Sequence, residues 1–186
     1  MFRRLSDWLR RVSTGWVALA ALAIFLLFTA LVLPRQSRLA EAVSKGAGSP
    51  DTSFFYSAGE LYRMAKAYGP AGRAAYVRAR ATFDVAFPLV YTFFLVTAIS
   101  WTFDRAFAPD SRWQRANLAP LIGALFDLLE NSAASLVMAR YPAPTDIAAI
   151  LAPAFTLLKW VFVTGSFALL FAGIVVAVWR RTRKTT

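Results

Sequence analysis

The chain has no cysteine and no histidine among its 186 residues. That excludes disulfide staples, thiolate chemistry, imidazole acid–base catalysis, Ser-His triads, histidine-ligated haem and ordinary zinc sites. A hard cation held by oxygen ligands is the one metal chemistry left open, and no metal or cofactor is expected. Charge is scarce too: 17% of residues are Asp, Glu, Lys or Arg, against about 25% in soluble domains. Acids are scarcer than bases, ten against 21, for a net charge of +11.

What fills the chain instead is apolar surface, 58% of residues, with 15% aromatic. It is concentrated in runs. Crossing a bilayer core takes about 20 apolar residues, and four segments qualify: residues 15–33, 85–103, 118–139 and 147–179. The first follows Arg3, Arg4, Arg10 and Arg11, as a signal peptide would, but it is long for one and has no clean small-residue cleavage site before Pro34. It reads as a retained helix. The expected fold is an all-α integral membrane four-helix bundle, one polytopic domain over residues 1–186.

The positive charge follows the same plan. Basic clusters precede the first span, link the second to the third (Arg105, Arg112, Arg115) and close the fourth (Arg180, Arg181, Arg183, Lys184). With four spans these clusters share one side, which the positive-inside rule makes cytoplasmic. N and C termini are therefore expected in the cytoplasm of a bacterial-type inner membrane. Arginines flanking apolar spans serve lipid phosphate, so no nucleic-acid partner is expected.

The first extracytoplasmic loop has structure of its own. Residues 49–53 (SPDTS) offer a helix start, Gly69-Pro70 a stop, and Phe54, Phe55, Ala58, Leu61, Tyr62, Ala65 and Tyr68 recur near helical spacing between them. An amphipathic helix over about 52–68 is expected, lying in the membrane interface or capping the bundle. Residues 45–50 (KGAGSP) are the expected hinge.

Polar residues inside the spans carry the functional signal, because ionisable groups in a membrane are costly and mark function. Arg73, Tyr76, Arg80, Asp84 and Tyr91 follow one another at steps of three, four, four and seven, one stripe of a helix running from Ala71 into the second span. Pro88 sits four residues after Asp84, so it cannot donate to the Asp84 carbonyl, which then needs another partner. In the third span Asp127, Glu130 and Asn131 share a face. The fourth holds Lys159, with Thr156 nearly one turn before it. Counting ~1.5 Å per residue puts Asp84, Glu130 and Lys159 at similar depth in the extracytoplasmic half. A structural ion pair needs one acid and one base; here three acids, an amide and a lysine are approached by two arginines and two tyrosines.

The expected function is acid/base catalysis on a lipid or isoprenoid in an outward-facing polar pocket. Asp84 and Glu130 form the expected acid–base pair, with Asp127 secondary and Lys159 and Arg80 neutralising an anionic headgroup or developing oxyanion. Arg73, Tyr76, Tyr91 and Asn131 are the expected binding residues. Two alternatives stand beside it: a small proton-coupled carrier, and a non-catalytic binding or structural subunit of a membrane complex in which the ions only lock helices together. Membrane lipids are the expected partners, with a homo-oligomer or larger membrane complex compatible with the small size. The tryptophans Trp8, Trp101, Trp113, Trp160 and Trp179 read as interfacial anchors, and Gly165 and Gly173 as sites of close helix packing.

Overall fold

The computed structural model describes residues 1–44, 46–50 and 53–183. Lys45 of the expected hinge, Asp51 and Thr52 of the expected helix start, and Lys184 of the C-terminal basic cluster lie outside the described residues. The described chain is all helix and turn, with seven α-helices: α1 (Phe2–Val12), α2 (Gly15–Leu27), α3 (Leu33–Ser44), α4 (Ala58–Ala81), α5 (Phe83–Ala106), α6 (Ala119–Arg140) and α7 (Asp146–Arg183). Four helical stretches are long and apolar enough to cross a membrane: Gly15–Ser44, Ala58–Ala106, Arg112–Arg140 and Asp146–Arg183.

The first of these does not end before Pro34. A π-helical turn over Phe28–Val32 joins α2 to α3, and the run continues to Ser44. The wider turn lies just where Pro34 removes a backbone donor and crowds the preceding carbonyls. Thirty residues then reach about 45 Å, well beyond a ~30 Å hydrocarbon core.

The loop helix also differs from expectation. It starts at Ala58, because Ser57 and Glu60 form a capping box: Glu60 N donates to Ser57 Oγ at 3.2 Å and Ser57 N donates to Glu60 Oε2 at 2.8 Å. Phe54 and Phe55 precede it and are exposed. Gly69 interrupts α4 with φ 67° and ψ 176°, a conformation that favours glycine, and Pro70 restarts the helix. The first arm of α4 packs against its neighbours rather than lying apart: Leu61, Ala65 and Tyr68 are buried with Val137, Met138, Ala149 and Ala152 of α6 and α7. Tyr62 Oη accepts a hydrogen bond from Thr145 N at 2.7 Å. In the segment expected to be a hinge, Gly46 and Gly48 have positive φ, and Tyr68 donates to the Gly48 carbonyl at 2.7 Å.

α4 and α5 are two helices rather than one. Thr82, at φ −123° and ψ −81°, separates them, and its hydroxyl bonds back to the Arg78 carbonyl at 2.9 Å.

At the other end of the bundle α1, which no sequence pattern predicted, docks by polar contacts. Ser6 donates to Asn117 Oδ1 at 2.8 Å, Asn117 Nδ2 donates to Ser100 Oγ at 2.9 Å, and Arg10 pairs with Asp104 at 2.6 Å. Above this lies an apolar core of Ala21, Phe94, Leu95, Ile99, Phe103 and Leu170. Gly173 lets Phe103 lie against the α7 backbone, whereas Gly165 faces open space. The bundle thus has two apolar cores, one beneath α4 and one near the termini, and the acids and Lys159 lie between them.

Candidate functional site

Three helices bring the acids and the lysine together. Lys159 of α7 is ion-paired to Glu130 of α6 and lies 3.7 Å from Asp127 of the same helix. The spacing of three between Asp127 and Glu130 aims both at one neighbour. Close approach is helped by Gly123 one turn earlier on α6, where an added Cβ would stand 3.1 Å from Val163 of α7. Arg80, at the end of α4, pairs with Asp84 of α5 at 2.8 Å across the Thr82 break. Tyr91, two turns along α5, donates to Asp127 Oδ2 at 2.9 Å.

Asn131 answers the need created by Pro88. Its amide donates to the Asp84 backbone carbonyl at 3.1 Å, the acceptor that proline leaves without an intrahelical donor, and approaches Asp127 Oδ1 at 3.4 Å. Replacing Asn131 by leucine is expected to cost about 1–3 kcal/mol of stability, because that carbonyl is left buried and unpaired. Thermal unfolding in detergent checks this, and an unchanged midpoint would show that the carbonyl finds another donor.

Beside these groups lies a cavity of about 730 Å³, within the size range of small-molecule sites. Tyr76, Arg80, Asp84, Tyr91, Asp127 and Lys159 line it. Its apolar walls include Phe25 of α2, Phe83 and Phe87 of α5 and Phe167 of α7, and residues of α3 such as Leu39 and Val43 form one side. The side chains of Asp84 and Asp127 keep 16% and 13% of their surface, against 7% for Lys159 and none for Glu130. Glu130 therefore stands behind the wall, reaching the cavity only through Lys159, and Asn131 is not in the lining either. Arg73 is elsewhere: its guanidinium donates to the Ala65 carbonyl at 3.0 Å and covers the Tyr141 ring. It lies seven residues before Arg80 on α4, about 10 Å along the axis, which carries it past the cavity.

Both cations of the wall are held by carboxylates. Arg80 also lies over the Tyr76 ring at 4.3 Å. Tyr76 itself is buried, and its hydroxyl has no hydrogen-bond partner among the described residues.

Two residues near the site are not among those expected there. Tyr56, in the irregular segment before α4, is 1% exposed and accepts from Thr156 Oγ1 at 3.2 Å, one turn from Lys159. Burial pushes its phenol pKa up, so it stays neutral. Trp160, expected as an interfacial anchor, lines the cavity, donates to the Ser53 carbonyl at 3.3 Å and packs on Phe54. Among the described residues no three Asp or Glu side chains are grouped to hold a metal ion.

Comparison with protein-family models, with curated proteins and with solved structures finds no match for this chain.

Proposed function

We propose that this chain is an enzyme of a bacterial-type inner membrane, with both termini cytoplasmic, performing acid–base chemistry on a lipid or isoprenoid held in the cavity. The observation that carries the proposal is the position of two carboxyls, Asp84 and Asp127, in the wall of one aromatic-lined hollow. A phenol on Asp127 and a guanidinium on Asp84 give the two acids different surroundings, the condition under which one serves as acid and the other as base. Glu130 is then a positioning residue, setting Lys159 against Asp127. The basic clusters in α1, around the α5–α6 link and at the end of α7 favour this orientation, which opens the cavity toward the extracytoplasmic leaflet. The first arm of α4 covers that end as a cap.

The test is conversion of an isoprenoid and total-lipid extract by the protein in nanodiscs, read by mass spectrometry. Asp84→Asn and Asp127→Asn are each expected to lower turnover about 100-fold or more with an unchanged helical spectrum. Undiminished turnover in both variants would remove the proposal.

One observation favours a second reading, a structural lock. The Lys159–Glu130 pair is buried and joins α6 to α7, which is all that a non-catalytic membrane subunit would need from it.

A further inference from the structure

The charges of the wall and of Glu130 behind it do not balance. Its cations are Arg80 from α4 and Lys159 from α7; its acids are Asp84 from α5 and Asp127 and Glu130 from α6. Two positive charges face three carboxyls, and no side chain among them is more than 16% exposed. The phenols of Tyr56, Tyr76 and Tyr91 add no positive charge. Arg78 also lines the cavity but is exposed, where water and salt screen it. α3 brings Gln36 and Ser37 to the lining, while its Arg35, Arg38 and Glu41 are not part of it. A buried, uncompensated carboxylate is costly, so the wall needs one more positive charge, supplied by a proton or by a ligand.

A second observation points to a ligand. Tyr76 lines the cavity at 4% exposure, and its hydroxyl is unpartnered among the described residues. Phe83, Phe87, Tyr91 and Trp160 also line the cavity, and aromatic rings attract ammonium groups.

We infer that the cavity takes an amphiphile with a protonated amine at its polar end. The ammonium displaces the proton that otherwise neutralises the third carboxyl, donates to the Asp84–Asp127 wall and to the Tyr76 oxygen, and leaves the tail against Phe25 and Phe167. An anionic headgroup has no place at this wall, because Arg80 and Lys159 already face carboxylates. The inference rests on the reading of Asp84 and Asp127 as the working acids and adds the class of molecule they meet.

The test uses the full chain in detergent, with Trp160 fluorescence as reporter and three probes of equal tail: dodecylamine, dodecanol and monododecyl phosphate. The amine is expected to bind about tenfold or more tighter than the phosphate. Its affinity should rise with pH across the range where the shared proton leaves, by up to about tenfold per unit, with about one proton released per amine bound. Asp127→Asn and Asp84→Asn should each weaken the amine and flatten its pH dependence while leaving dodecanol unchanged. Tightest binding by the phosphate, or amine binding that neither varies with pH nor releases a proton, would overturn the inference, and both are measured on the unmodified protein. Turnover lost in the two variants with no amine preference would sink this inference alone; amine preference with undiminished turnover in both would sink the catalytic reading and leave the binding site.

Discussion

Lys159→Leu is expected to destabilise the protein by about 3–5 kcal/mol. The side chain of Glu130 has no exposed surface, and Lys159 is its ion-pair partner. Removing the ammonium leaves a carboxyl that must either stay charged in an apolar bundle or bind a proton, and each route costs free energy. Asp127 loses a neighbouring cation at the same time. The double variant Lys159→Leu/Glu130→Leu removes both buried charges and is expected to regain most of that stability, since an apolar pair of similar bulk is often as good as a buried ion pair. Unfolding midpoints of the two variants in one detergent check this. A single variant as stable as the unmodified chain would mean that the pair holds nothing together. The double variant also separates the two functional readings: a structural lock predicts that it works normally once stability returns, whereas the catalytic reading predicts a folded protein without turnover.

Asn117→Leu should have the second largest effect, about 3 kcal/mol, from a site far from the cavity. Its side chain is fully buried and makes three hydrogen bonds, accepting from Ser6 Oγ and donating to the Ser6 carbonyl at 3.2 Å and to Ser100 Oγ. Leucine can replace none of them, and each orphaned buried group costs about 1–3 kcal/mol, less when they share one network. Ser6 is the one buried residue of α1, so its contacts, with the Arg10–Asp104 pair, are what attach that helix. Backbone hydrogen exchange over residues 2–12 should quicken sharply while that of α6 and α7 changes little. Unaltered protection over residues 2–12 would contradict this account of α1 docking.

The bundle was legible in the sequence because bilayer thickness imposes a length on apolar runs. The span expected over 118–139 is met by Ala119–Arg140, and that over 147–179 lies inside Asp146–Arg183. The ends were less legible where a local bond decides them. Ser57-Ala-Gly-Glu60 is itself a capping-box pattern and sets the start of α4, against a stretch at 49–53 that looked as suitable. Pro34 is a frequent helix stop, yet the π turn before it carries the chain through. α1 is short, with arginines in its first and last turns, and only its partner Asn117, more than a hundred residues away, makes it a docked element.

The site divides in the same manner. Periodicity places Asp127, Glu130 and Asn131 on one face, and the intramembrane cost of charge says that this face looks inward. Periodicity does not say which of three neighbours stands in front and which behind. Asp127 reaches the hollow while Glu130 is covered, a difference of less than one helical turn. Arg73 and Arg80 share one stripe of α4, but Arg73 stands seven residues further back, about 10 Å along the axis, so Arg80 meets Asp84 while Arg73 meets Tyr141. Tyr56 arrives from an irregular segment, one hundred residues from the Thr156 it contacts, and no spacing rule connects them.

For a chain inserted into a bilayer, the bond from Asn131 to the Asp84 carbonyl bears on the order of events. As α5 emerges from the ribosome, one of its carbonyls has no donor within its own helix, and hydrocarbon offers none. α6 supplies that donor, yet by itself carries two carboxyls and an amide that lipid receives poorly. Each helix covers a defect of the other, so moving the two sideways from the translocon as a hairpin costs less than releasing them in turn. α7, with its ammonium, then completes a pair that already waits for it.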